Sequence, residues 1–426
     1  MSKKSAIVIV ILAILIALGG LLAWTIFLSP KAENGQAESG GIRDIIFGFF
    51  PESSPTTDDH KPTTEGSGTT TDKTPDEDVP PDTGVPLPAP VIRQITTSPT
   101  AGFIFTDDKK EGISVRYMEK ESGHTYTAPL KVITKTRLTN TTIPRVREAV
   151  WLPGGERVIA QYLEESEETI KSFYGEVKPK ITPLGVLSEG TLEGKFLNDN
   201  LTELTSHPTL EKIFYLLEDN TTEGIVAERD GSKATRVFSS IIREWLPQWV
   251  TTNTIFLTTK ASGRSPGFLI ALNTANGVET EILQNISGLT TNVSPKADKL
   301  LYGRSVANGV ELYVYDIKSR VETKLPLASL PEKCAWDPSN TDVIFCGVPR
   351  RQPSGLYPDS WYKGLTTFED GLWKINVKTS EASVVGNFRS VTEDQFDIIK
   401  PSVSKDGGYV VFVNKHDYSL WSVKVK

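Results

Sequence analysis

A chain of 426 residues, 38% hydrophobic, with 46 basic and 53 acidic residues, is long enough for one large all-β core or two ordinary domains. Its formal charge of −7 resides in residues 51–90, which hold nine acidic residues and two lysines, so the rest of the chain is neutral overall. No broad basic face is left for a phosphate backbone, and nucleic acid is not an expected partner.

The amino end reads MSKK, followed by an uncharged run from Ala6 to Leu28. Such a run makes about 34 Å of helix, enough to cross a bilayer. A cleaved signal peptide has a shorter apolar core and then a small-x-small site. Here Gly19 and Gly20 lead into Leu21, Leu22, Ala23 and Trp24, which favours an uncut anchor, and no nearby cysteine offers a lipid attachment point. Lys3, Lys4 and the short amino end place residues 1–5 in the cytoplasm. The chain is thus expected in the cell membrane, single-pass through a helix over 6–28, with the rest outside the cytoplasm.

Residues 29–50 form a juxtamembrane segment. Its IRDIIFGFF stretch, Ile42 to Phe50, is too short to span and too apolar for ordinary linker, so it reads as interfacial or as a docking peptide. Residues 51–90, rich in Thr, Pro, Asp, Ser, Glu and Gly, cannot bury enough surface to offset their ordering entropy. This disordered linker reaches at least roughly 35 Å by the flexible-coil estimate, and its prolines and like charges extend it.

From residue 91 to 426 one unit recurs: a turn, often Ser-Pro or Trp-x-Pro with Asp, Gly or Asn nearby, then a β-branched and aromatic run. It appears at SPTAGFIF (Ser98), WLPGGERVIA (Trp151), HPTLEKIFY (His207), WVTTNTIFL (Trp249), SPKADKLLY (Ser294), WDPSNTDVIF (Trp336) and SKDGGYVVF (Ser404). Each is followed by a second alternating run, such as GISVRYME, ELYVYDIKSR or LWKINVKTS, and TRVF, ETEIL and ETKL supply further strands. Four short antiparallel strands per repeat, with no long amphipathic helix, are the pattern of propeller blades, whose apolar faces only neighbouring blades can cover. The expectation is an all-β fold, a β-propeller of seven blades, or six or eight if one unit is irregular; a β-sandwich is the alternative.

A hairpin of the Ser-Pro-Asp-Gly type followed by a phrase such as LWKINVKTS resembles the TolB-type and related WD-like propellers. The Gly-His and Trp-Asp pairs of true WD repeats are absent from their places. The resemblance implies a binding platform, in a bacterial envelope setting, and carries over no catalytic residue. The last repeat ends at Lys426 after its third strand, so a segment within Val85–Ile95 is expected either to complete that sheet and close the ring or to be the inner strand of the first blade.

Cys334 and Cys346 flank one hairpin turn and are mirror partners about Asn340. Directly opposed residues in an antiparallel pair are close enough for a disulfide, which the compartment permits; two buried thiols are the other reading. Neither count nor spacing suggests a metal site, and no cofactor is implied. GRSPG at Gly263–Gly267 has the form of a nucleophile elbow, but a strand follows it where that motif needs a helix. Only four histidines occur, His60, His124, His207 and His416, and no catalytic constellation is expected.

The longest interval between turns holds an insertion from Pro349 to Gly371 with Arg350, Arg351, Tyr357, Trp361, Tyr362 and Phe368. Aromatic and Arg residues on a loop carried by a rigid scaffold suit a docking surface, and they equally suit a plug over the channel. The leading expectation is a non-enzymatic platform for another envelope protein or polymer. The alternative is an envelope enzyme, a hydrolase or lyase on glycan or peptide, with carboxylates and an Arg or Tyr around one pocket on the channel rim.

Overall fold

The repeated runs become strands because alternation with period two gives each strand two apolar faces once a sheet lies on either side. The computed structural model describes residues 87–108, 111–166, 168–183, 187–307, 309–385, 388, 392 and 395–426. The helix expected over 6–28, the segment 29–50 and the linker as far as residue 86 lie outside these. No described helix is long and apolar enough to cross a membrane.

The described residues form seven four-stranded antiparallel sheets. The first strands are Thr100–Asp108, Glu148–Trp151, Leu201–Ser206, Trp245–Thr251, Thr290–Val293, Cys334–Trp336 and Ile398–Val403. Neighbouring first strands, or the segments entering them, lie against one another around an axis, giving a seven-bladed propeller. Burial declines from the axis outward. The second strands Val343–Pro349 and Tyr409–Asn414 are buried throughout, whereas the outermost strand Val321–Lys324 of the fifth blade is exposed throughout.

The recurring turn has a local cause. Ser404 donates its hydroxyl proton to Asp406 (2.6 Å) and accepts from the backbone N–H of Gly408 and Tyr409 (3.1 and 2.9 Å). Ser294 does the same with Asp298 (2.7 Å) and the Lys299 N–H (3.1 Å). A side chain that satisfies turn amides in this way fixes the hairpin without help from the core. In six repeats the turn joins the first and second strands of a blade. At Pro99 it falls one strand earlier, so TAGFIF is the inner strand of the first blade.

Ile92–Thr96 settles the closure. It pairs antiparallel with Leu420–Lys424, placing Ile92 opposite Val423 and Gln94 opposite Trp421, and is the outer strand of the last blade. It is therefore not the inner strand of the first blade. Arg93, 6% exposed, carries the closure further. Its guanidinium donates to the carbonyls of Pro129 (2.7 Å), Val132 (2.8 Å) and Thr134 (3.1 Å) in the first blade. One strand thus holds both ends of the ring. Cys334 and Cys346 face each other in register, 4.0 Å apart at Cα, as a buried disulfide within the sixth blade.

Arg93→Met would take the guanidinium donor from the buried Pro129 carbonyl and from the less buried Val132 and Thr134 carbonyls, and would cut the polar link between the last blade and the first. Unfolding in urea should show a loss of about 2–4 kcal/mol; an unchanged midpoint would mean that the closing strand holds without this residue.

Candidate functional site

The insertion leaves the sixth blade between its second strand and its third, Asp370–Asn376, and turns inward. Tyr357, Trp361 and Phe368 are 0%, 2% and 3% exposed, in one apolar cluster with Leu330, Ile399 and Val413. Three of the six residues expected on a docking surface are thus interior. Tyr362 is half-buried, and Arg350 and Arg351 remain on the surface. The reason is polar as well as apolar. The short helix Asp359–Tyr362 is gripped by the GRSPG loop, where the Ser262 hydroxyl and the Gly263 N–H donate to the two oxygens of Asp359 (2.9 and 2.7 Å). GRSPG is therefore an anchoring loop, with Ser265 exposed and a strand beginning at Pro266.

Below the insertion, Lys333, Asp370 and Asp397 are buried together with their side chains fully excluded from solvent. The Lys333 ammonium bridges Asp370 (2.7 Å) and Asp397. Asp397 also accepts from Trp361 Nε1 (3.0 Å) and from the Phe368 N–H (3.1 Å). Asp370 accepts from the Ile398 N–H at 2.7 Å. Burial raises the Asp370 carboxyl above its ordinary value, against the pull of Lys333 and with the repulsion of Asp397. Lys415 Nζ donates to the Trp361 carbonyl (2.6 Å) and lies 4.2 Å from the centre of its ring.

Trp361 and Tyr362 so placed form part of the wall of a cavity of about 330 Å³ at the axis. The rest comes from the inner parts of the second, third, fourth and seventh blades: Arg147, Glu148, Gln161, Thr202, Glu203, Leu204, Leu246, Ile399, Lys400 and Lys415, with Glu332. Size, apolar walls and a few polar groups match ligand sites in general. A larger groove, about 570 Å³, between the outer strands of the second and third blades is more open, and its Lys195–Asp230 and Arg229–Glu211 pairs satisfy each other.

The cavity's charges are uneven. Lys400 from the seventh blade holds both oxygens of Glu148 from the second at 2.7 Å. Glu203 faces the cavity from the third blade, and burial, reinforced by Glu148, Glu218 and Glu244 and opposed by Lys260, pushes its carboxyl up to about 8. Burial also raises Glu332, which accepts from the Tyr362 hydroxyl, and pushes the Lys415 ammonium down to about 8, Lys333 adding to the effect and Asp397 opposing it. The site thus holds a neutral acid and a weakened ammonium near physiological pH. Glu203 and Lys415 escaped the sequence reading, because each lies within an ordinary alternating or turn segment and only the ring brings them together.

The described histidines, His124, His207 and His416, do not line the cavity. His207 is buried, its Nδ1 accepting from the Thr209 and Leu210 amides (3.0 and 2.8 Å). Among the described residues no group of His, Cys, Asp and Glu converges as a metal site.

No protein-family model matches the chain, and no curated protein matches it. Among solved structures, oligogalacturonate lyase from Vibrio parahaemolyticus is similar at 11% identity and a TM-score of 0.49, over 79% of this chain and 93% of that one. The β-propeller domain of Myceliophteria thermophila Cps50 (Swd1) is similar at 8% identity and a TM-score of 0.48, over 79% and 100%. An oligogalacturonate lyase in complex with manganese follows at 10% identity and 0.41, over 77% and 97%. At these values the likenesses carry no argument about what the cavity does.

Two measurements check the site. In the unfolded chain Glu203 titrates near 4.5, so between there and about 8 the folded chain binds more protons and loses stability as pH rises. Glu203→Gln should therefore raise the unfolding free energy by about 2–4 kcal/mol near pH 8.5 and change it little near pH 4.5; a pH-independent difference would contradict the placement. Lys333→Met strands two buried carboxylates and should cost about 3–5 kcal/mol, read by thermal unfolding and by loss of Trp361 near-ultraviolet dichroism.

Proposed function

We propose that this chain is a binding propeller tethered to the cell membrane by residues 6–28, lying outside the cytoplasm and taking a small organic ligand in its axial cavity. The observation that carries the reading is the cavity itself, walled by four blades and by an insertion that adds Trp361 and Tyr362 to it. The uncharged run Ala6–Leu28 and the acidic linker support the tether, and the repeat pattern supports kinship with TolB-type or WD-like propellers. A platform role toward another envelope protein or polymer then falls to the exposed parts of the insertion, around Arg350 and Arg351, and the ligand in the channel is held by the same loop. No catalytic step is assigned.

The second reading, an enzyme on glycan or peptide, draws on Glu203, a carboxyl kept neutral near pH 7 in the cavity that Lys415 also lines, which suits general acid–base work. Turnover of such a substrate, lost in Glu203→Gln, would favour it.

Leu204→Trp fills the cavity from a strand whose backbone pairing it leaves intact. Saturation-transfer NMR on the full chain against small amines, acids and alcohols should detect binders with the native residue and none with Trp. Binders that persist would remove the axial cavity as the site.

A further inference from the structure

Glu203 is a carboxyl without a partner in a cavity whose other charges are engaged. Among the described residues it has no hydrogen bond or ion pair, although it lines open space. The charged groups acting on it from the surrounding elements are Glu148 on the second blade, Glu218 on the third, and Glu244 and Lys260 on the fourth, and the Tyr362 hydroxyl of the insertion also feels its charge. Lys260 is taken by Glu244 (2.8 Å), and Lys400 by both oxygens of Glu148. Lys415 is spent on the carbonyl and ring of Trp361. Arg147, Lys400 and Lys415 balance the acids of the cavity wall as a whole, but the charges acting on Glu203 itself are three carboxylates and one ammonium, the last paired with Glu244, so with Glu203 ionised this position favours an arriving cation. A bare divalent ion fits poorly, since the described carboxylates do not converge as a metal-binding group. Beside the carboxyl stand Leu204, Leu246 and Ile399, which offer an apolar body a place out of water.

We propose that the ligand of the axial cavity carries a primary ammonium group, received by the Glu203 carboxylate, on an apolar body that lies against Leu204, Leu246 and Ile399. This rests on the cavity being the binding site. Binding moves one proton from the Glu203 carboxyl to solvent while the ligand keeps its ammonium charge, so the ion pair forms where a neutral acid stood.

The test is calorimetric titration of the full chain with n-hexylamine, hexanoate and 1-hexanol, in buffers of different ionisation heat. Hexylamine should bind and hexanoate should not, with about one proton released per amine at pH 7. Because the carboxylate fraction grows with pH, the dissociation constant should fall about tenfold from pH 6 to pH 7 and level off above about pH 8. Glu203→Gln, expected to be at least as stable as the native chain, should weaken the amine by about tenfold or more. Equal binding of hexanoate or hexanol, lost in Leu204→Trp, would keep the cavity and overturn the ammonium. Amine binding unchanged in Glu203→Gln, or without proton release, would overturn it as well. Failure of all three compounds would overturn the cavity reading along with its ligand class.

Discussion

One buried ammonium organises the functional end of this propeller. Lys333 stands where the chain enters the sixth blade and is paired with carboxylates from that blade's third strand and from the entry to the seventh. A buried ion is tolerable only when its charge and hydrogen-bonding capacity are met, and breaking such a set exposes the remaining charges to the full desolvation penalty. Asp397 spends its remaining capacity on the Trp361 indole and the Phe368 amide. The insertion is therefore positioned by the same charge that joins two blades. Apolar packing alone would bury the aromatic side chains, but it would not choose their orientation at the axis.

Ring closure has the complementary role. A four-stranded blade leaves its faces to its neighbours, and a propeller without closure ends in an open sheet. Here the last blade takes three strands from residues 398–424 and its fourth from Ile92–Thr96. Arg93 extends the clamp to the first blade, so both ends of the ring depend on one short strand. The axial cavity needs that constraint, because its walls come from blades far apart in sequence, as the Lys400–Glu148 pair shows.

Glu203 runs against the economy of the rest of the structure. A carboxyl held neutral among other carboxyls is less stable than the glutamine of the same size, and such a conflict of local chemistry with stability is where function is sought first. Gln161, which lines the same cavity, is by contrast satisfied within the protein by Ser172 and the Leu201 carbonyl. Glu203 lines open space and has no such partner among the described residues.

The sequence by itself determined the strand repeat and the mirrored cysteines and bounded the blade number to within one of seven, because turn residues and period-two alternation are local properties; the seven sheets themselves are a tertiary fact. It also narrowed the closing strand to a few residues without deciding its partner, since Ile92–Thr96 alternates equally well as an inner or an outer strand. The insertion was legible as unusual and illegible in direction: Tyr357, Trp361 and Phe368 suit a surface hot spot as well as an interior, and their burial was decided by Lys333, Asp397 and the Ser262–Gly263 loop. The cavity and its unpaired acid belong to the tertiary structure alone. Charge at Glu203 depends on Glu148, Glu218, Glu244 and Lys260, residues on three consecutive blades that only the packing of blade on blade brings together.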